Sequence, residues 1–277
     1  MAPTRVLECV INVSEGRDSK VIAEIGRAAG RLLLDLHSDW FHHRSVFTLA
    51  GAPDEVEGAA LALARRGVEL LDLTAHVGVH PRLGVVDVVP FVPYAVPFSE
   101  AVAARDRIAQ ALAGDGLPCF LYGPQRSLPD VRRQAWLTLA PDMGPSEPHP
   151  TAGACCVGAR DVLIAYNVVI KGPIARAREI ARDLRGPAVR ALGIALGDES
   201  QVSFNLIDPA VVGPAEIYDY VAERSEIDRA ELVGLLPDSS LAVISPNRFG
   251  QLGLSRERTI ESRLKADVSF DGTRREA

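Results

Sequence analysis

Apolar and polar positions alternate along this chain in two kinds of period, and the order in which those periods follow one another occurs twice. Residues 6–13 form an apolar strand-like run. After Gly16 a helical spacing follows through Val21, Ile22, Ile25 and Ala28, and Gly30 ends it. Residues 32–36 and 46–50 read as two further strands, Pro53 opens a long helix with apolar residues at Val56, Ala60, Leu63 and Leu70, and 85–92 supply a fourth strand. The order is βαββαβ, extended by a helix over 99–112 and a short strand over 119–122. From Asp161 it returns: strand 162–169, helix 173–184, strands 189–195 and 202–207, a helix opened by Pro214, and a last strand near 230–236.

Two βαββαβ units predict a mixed α/β chain of the α+β kind: two ferredoxin-like subdomains, each with helices mainly on one face of its sheet. A doubly wound dinucleotide-binding sheet is not expected. Between the halves, residues 137–153 read LTLAPDMGPSEPHPTAG, which is loop chemistry. The expected division is therefore 1–153, including this loop, and 154–277, including the tail. A loop joining two lobes serves either as the wall of a ligand cleft or as a plain connector.

Composition narrows the function classes. At 277 residues, 47% hydrophobic and 24% charged, the chain is long enough for two cores and carries no low-complexity run. Glu8, Asn12, Glu15 and Asp18 interrupt every apolar run near the start, so no secretory signal is expected, and no stretch suits a bilayer. Cys9, Cys119, Cys155 and Cys156 lack paired metal-site spacing, and reduced thiols in a cytoplasmic protein are the simpler reading. The 30 basic residues against 36 acidic ones give a net charge of −6 with the signs mixed, which argues against nucleic acid as a partner. Arg17, Arg44 and Arg82 lie near glycines and histidines and suit small carboxylates.

All six histidines, His37, His42, His43, His76, His80 and His149, precede the second half. Histidine is the side chain best suited to proton transfer near neutral pH. His80 stands beside Pro81 and Arg82, between Gly78 and Gly84, in a loop entering a strand; this is a stiffened base next to an anion-binding side chain. The run Phe41-His42-His43-Arg44-Ser45 precedes the third strand and is a second candidate cluster. A lone histidine is more often structural than catalytic. His76 and His80 have the spacing of helical metal ligands, but Gly78 and Pro81 disfavour a helix there, so no metal is assigned. Neither a phosphate-binding glycine loop nor a nucleophile-elbow motif occurs.

Residues 78–93, GVHPRLGVVDVVPFVP, resemble the GEHPRMGALDVCPFIP segment of glutamate formiminotransferases. ECVINVSEGRD from Glu8 is similar to that family's ECVPNFSEGR, and HRSVFTLAG from His43 to its NRTVYTFVG. The likeness continues through DMGPS, VGARDVLIAYN, QVSFNLID and LVGLLP, over nearly the whole chain. The resemblance implies two α/β subdomains, a folate site between them, a homodimer, and a transferase region without the helical cyclodeaminase domain of some relatives. It also implies transfer of a formimino group from N-formiminoglutamate to tetrahydrofolate as co-substrate, with His80 as the catalytic acid/base and no metal.

The same resemblance places Gly144, Pro145, Ser146, Pro150 and Gly153 in the folate-associated loop, where Ala152 stands in place of an aromatic residue. Arg44, Arg82, His43 and His37 are the expected substrate-binding side chains. Three positions depart from the family pattern: His37 replaces an acidic residue, His43 an asparagine and Val79 a glutamate. They keep open a related formimino or formyl transfer with another amine substrate, and a folate-binding protein with little turnover. A histidine-rich metal-dependent hydrolase is a third class. For Arg44 and Arg82 the alternative is a surface or interlobe ion pair.

Overall fold

The computed structural model describes residues 5–78 and 81–266. Contacts divide the chain into two compact units, the first ending at Asp161 and the second spanning Val162–Ala266.

The first unit is built on β1 (Leu7–Val13), α1 (Ser19–Arg27), β2 (Leu33–Asp39), β3 (Arg44–Gly51), α2 (Pro53–Leu70), β4 (Val86–Val92), α3 (Phe98–Gly114), β5 (Cys119–Tyr122), α4 (Leu128–Gln134) and β6 (Cys155–Ala159). The strands form one sheet in the order β2-β3-β1-β4-β6-β5. Its first four are antiparallel and reproduce the expected ferredoxin-like βαββαβ arrangement; β6 and β5 extend it in parallel with β4. Period two decides the faces. Leu7, Cys9, Ile11 and Val13 of β1 are fully buried in one core with Ile22 and Ile25 of α1, Val56, Ala60 and Leu63 of α2, and Ala104, Ile108 and Leu112 of α3. On the opposite face Val131 of α4 joins Val88, Phe120, Tyr122 and Cys156.

The helices start where their chemistry allows. Asp18 accepts from the Lys20 and Val21 amides, Pro53 opens α2 with Asp54 and Glu55 in the first turn, and Ser127 and Asp130 form a reciprocal cap on α4.

The unit boundary falls after Asp161 rather than after residue 153. The reason is β6, which pairs on both sides within the first sheet, with Val88–Phe91 and with Cys119–Tyr122. The segment expected to join two lobes is accordingly part of the first unit: Met143 exchanges backbone bonds with Cys119 at the edge of β5, and Ala152 and Ala154 bond Val85 and Leu83.

The second unit comprises β7 (Ile164–Ile170), α5 (Ile174–Leu184), β8 (Val189–Leu196), β9 (Glu199–Leu206), α6 (Pro214–Ala222) and β10 (Ile227–Val233), followed by α7 (Asp238–Ala242) and α8 (Ile260–Lys265). Its sheet is antiparallel in the order β10-β7-β9-β8, again a ferredoxin-like arrangement. Gly197, at φ 65°, and Asp198 make a two-residue hairpin between Leu196 and Glu199, so β9 starts earlier than its apolar pattern suggests. Tyr166 is fully buried and donates to the Leu252 carbonyl at 2.8 Å, tying the segment after β10 to the core.

One irregularity in the first sheet matters for chemistry. Asn12 lies opposite Val88 and Val13 opposite Val86, so Asp87 is the extra residue of a β-bulge. Its carboxylate is fully buried and accepts from Arg44 Nη1 at 2.6 Å, from Arg132 at 3.0 and 2.5 Å, and from the Leu83 amide at 2.8 Å. Burial alone would push this carboxyl up, but the two guanidinium groups outweigh it and hold it far below the usual carboxylate range.

Asp87→Asn leaves two guanidinium groups without their shared counter-charge and is expected to cost about 3–5 kcal/mol in chemical denaturation at neutral pH. Because the folded-state pKa is depressed, the Asp87 contribution is complete above the ordinary carboxylate value of about 3.9 and is lost progressively as pH falls below it. The variant should therefore lack that part of the acid limb. A stability change within about 1 kcal/mol would show that the triad is not what holds this end of the sheet.

Candidate active site at one end of the first sheet

Antiparallel pairing brings three connections to the same end of the first sheet: the segment after β1, the turn between β2 and β3, and the segment entering β4. Ser14 fastens the first to the third, its amide donating to Val85 O at 2.7 Å and its hydroxyl to Gly84 O at 2.9 Å. Gly16 fastens the first to the second. A Cβ on Gly16 would stand 2.2 Å from Asp39 O and 2.5 Å from Arg44 N, so no other residue allows this approach.

The β2–β3 turn is locked on itself and then by arginine. His42 donates its amide to Asp39 Oδ1 at 2.7 Å, and its ring Nδ1 lies 3.1 Å from Asp39 Oδ2. Burial raises the Asp39 carboxyl, but the His42 hydrogen bonds more than offset this and leave it below its ordinary value. Arg82 reaches across and donates to the carbonyls of His42, at 2.9 Å, and His43, at 3.2 Å.

His43 occupies a left-handed backbone conformation, φ 49°, and its ring lies against that of His76 with centroids 4.1 Å apart. Nδ1 of His43 accepts the Gly16 amide at 3.1 Å. Arg82 Nη1 lies 2.5 Å from His76 Nε2 and 3.0 Å from its Nδ1, and His76 Nε2 is 3.2 Å from His43 O. Both imidazoles have lowered pKa values, His43 through burial and then the charges of His76, Arg17 and Arg82 against an opposing Glu15, and His76 through burial and then Arg82. Two neutral rings therefore stand beside an arginine at neutral pH.

The sequence-predicted residues are distributed as follows. His80 and Val79 lie outside the described residues. The flanks of that segment are close to the cluster: a Cβ on Gly78 would meet Arg82 Nη2 at 2.6 Å and His42 O at 2.9 Å. Arg82 and His43 are brought together. Arg44 is buried and engaged by Asp87 and by Asn12 Oδ1, at 3.1 Å, so its guanidinium is part of an internal ion pair within the first unit. His37 sits on β2 two residues before Asp39, half-buried.

The loop residues separate into two groups. Gly153, φ 71°, is buried against Gly84 and Leu83 O, while Gly144, Pro145 and Ser146 are exposed after Met143, which pairs with Cys119 of β5, and Pro150 is exposed in the turn between His149 and Gly153. Asp87, Arg132 and Glu15 are the residues that sequence reasoning did not single out. Glu15 was visible within the SEGR motif; Arg132 had no signal, because its pairing with Asp87 spans 45 positions. Among the described residues no group of three His, Cys, Asp or Glu side chains is arranged to hold a metal ion.

Comparison with known proteins places the chain in a family. The model of the formiminotransferase domain, N-terminal subdomain, matches residues 6–160, which is nearly the whole first unit. The chain is 34% identical over 271 residues to the glutamate formimidoyltransferase of Streptococcus pyogenes serotype M1, with 86% of this chain and 91% of that protein covered. It is 30% identical over 310 residues to the glutamate formimidoyltransferase of Thermoplasma acidophilum, covering 96% and 99% respectively. Against the formimidoyltransferase-cyclodeaminase of Sus scrofa the identity is 34% over 277 residues, and the chain spans about half, 51%, of that longer protein. On the extent of these matches, the chain belongs to the formiminotransferase family.

Proposed function

We propose that this protein transfers the formimino group of N-formiminoglutamate to N5 of tetrahydrofolate and releases glutamate, with His80 as acid/base. The observation that carries the reading is coverage: relatives named glutamate formimidoyltransferase align over almost their entire length. The cluster around His43, His76 and Arg82 supports it. Arg82 is drawn to this end of the sheet together with Arg17, whose charge also acts on His43, and cations suit a substrate that carries carboxylates.

In the proposed reaction the N5 lone pair attacks the amidine-like carbon and a tetrahedral intermediate forms. The bond to the glutamate nitrogen then breaks. His80 takes the proton lost from N5 and returns one to the departing nitrogen, the use of an imidazole near its own pKa. The atoms and charges balance with no further reagent. Folate is assigned to the loop carrying Gly144, Pro145, Ser146, Pro150 and Gly153, of which Gly153 is anchored to the segment that leads from Arg82 into β4.

His80→Ala is expected to lower formimino transfer about a hundredfold to ten-thousandfold while tetrahydrofolate affinity, measured by calorimetry, changes little. Wild-type turnover in that variant would remove His80 from the mechanism. Tetrahydrofolate binding without turnover in the wild-type protein would favour the folate-binding reading instead. Arg82→Met should raise the KM for N-formiminoglutamate more than it lowers kcat, read from steady-state kinetics over a range of donor concentrations. A loss of thermal stability with unchanged kinetics would assign Arg82 to the turn alone.

A further inference from the structure

We propose that His43 is a specificity-determining residue that presents a fixed Nε2–H donor to a carboxylate of the formimino donor. The inference rests on the transferase reading for the identity of that donor and on geometry for everything else.

The tautomer follows from a competition at Nδ1. The Gly16 amide donates to it at 3.1 Å, and Glu15 Oε1 lies 3.4 Å away. An Nδ1–H donating to Glu15 would leave the Gly16 amide facing another N–H. Glu15 Oε1 already accepts the Arg17 amide at 2.7 Å and the Asp18 amide at 3.0 Å. Nδ1 is therefore the acceptor, and in a neutral ring the proton resides on Nε2. The charged groups facing the ring are Glu15, Arg17 and Arg82, with His76 stacked on it; burial, reinforced by His76 and the two arginines, outweighs Glu15 and keeps the ring neutral.

Nε2 has no hydrogen-bond partner among the described residues, although the His43 side chain is only 12% exposed. The ring is largely enclosed with its Nε2 edge reaching solvent, and the left-handed backbone at His43 holds strain of about 1–3 kcal/mol. Two hydrogen bonds hold it there, from the Gly16 amide to the ring and from Arg82 to the carbonyl, with the His76 ring packed against it. Strain that fixes the direction of a solvent-facing donor is the arrangement of a preorganised ligand site.

The ligand atom must accept, because a neutral ring with Nδ1 engaged offers only N–H. It is favoured as an anion, because Arg17 and Arg82 both act on this spot. An asparagine, as in the resembling family segment, would offer an amide oxygen as well as an N–H and so would also admit a donor group. His43 narrows the choice to oxygen acceptors, and among formimino donors to those bearing a carboxylate.

The test uses the full-length protein and two readouts. In 15N-labelled wild-type protein at pH 7, the His43 ring, assigned by its absence from a His43→Asn sample, should show the Nε2–H tautomer. Calorimetry with N-formiminoglutamate should show at least about tenfold weaker binding to His43→Asn, with no difference for the bis-amide of the same donor, which lacks both carboxylates. His43→Gln, whose amide nitrogen extends further from the backbone than that of Asn, should recover part of the loss. An Nδ1–H tautomer, or equal weakening for the acidic donor and the bis-amide, overturns the proposal. Absence of transfer to tetrahydrofolate by wild-type protein overturns the transferase reading and leaves the binding contrast intact.

Discussion

The buried carboxylate of Asp87 is the point on which the candidate active-site end of the first unit depends. It lies on a bulge in β4, and the two guanidinium groups it holds come from residues 43 and 45 positions away in the chain. Arg44 opens β3 and Arg132 is in α4, so a single carboxylate ties together three elements that share no local sequence. Desolvating it is unfavourable, and so is desolvating either arginine. The arrangement is stable only with all members present, since each removes the cost of the others. The Leu83 amide adds a fourth bond and fixes the chain immediately after Arg82. The direction in which the segment 81–85 enters β4 is thereby set from inside the unit.

An imbalance of charge follows. Two arginines share one carboxylate, and Arg82 and Arg17 are close enough to act on the same groups. Glu15 and Asp39 are the nearest compensating acids, but each is occupied: Glu15 by the amides of Arg17 and Asp18, Asp39 by His42. The end of the sheet is left electropositive in a chain whose net charge is −6. Burial and this local field together depress the pKa values of His43 and His76, and the field favours anionic ligands, two effects that a count of residues along the chain does not reveal.

Much of the fold was legible because period-two and period-3.6 patterns are strong wherever one face is buried. β5 appears where its apolar run placed it, and β8 and α6 begin where theirs did. The two elements of the first unit that escaped, α4 and β6, had weak patterns for identifiable reasons. α4 is seven residues long and buries a single apolar side chain, Val131, so it has no period to read. β6 is a five-residue run containing Gly158, a position where the Tyr122 ring approaches so closely that a Cβ would stand about 2 Å from it. A glycine chosen for that packing looks, in sequence, like a turn. The site was legible in the same uneven way. Gly16, His43 and Arg82 fall in recognisable motifs, whereas Arg44, expected at the substrate, is spent on Asp87 because a bulge turned that carboxylate towards it.

The two units share one topology and differ in what was added to it. In the second, the four strands stand alone as an antiparallel sheet, and no histidine occurs after His149. In the first, β6 and β5 continue the sheet in parallel with β4, and parallel strands begin at the same end. That end is the one where the antiparallel connections after β1 and between β2 and β3 also emerge. The long excursion between β5 and β6 must therefore return to the site end before β6 can start, and it does so at His149–Gly153, closing a turn whose Thr151 and Ala152 carbonyls bond Leu73 and Val85. The extension delivers a loop from the far edge of the sheet to the segment that carries Arg82, which an isolated ferredoxin-like unit has no means to do.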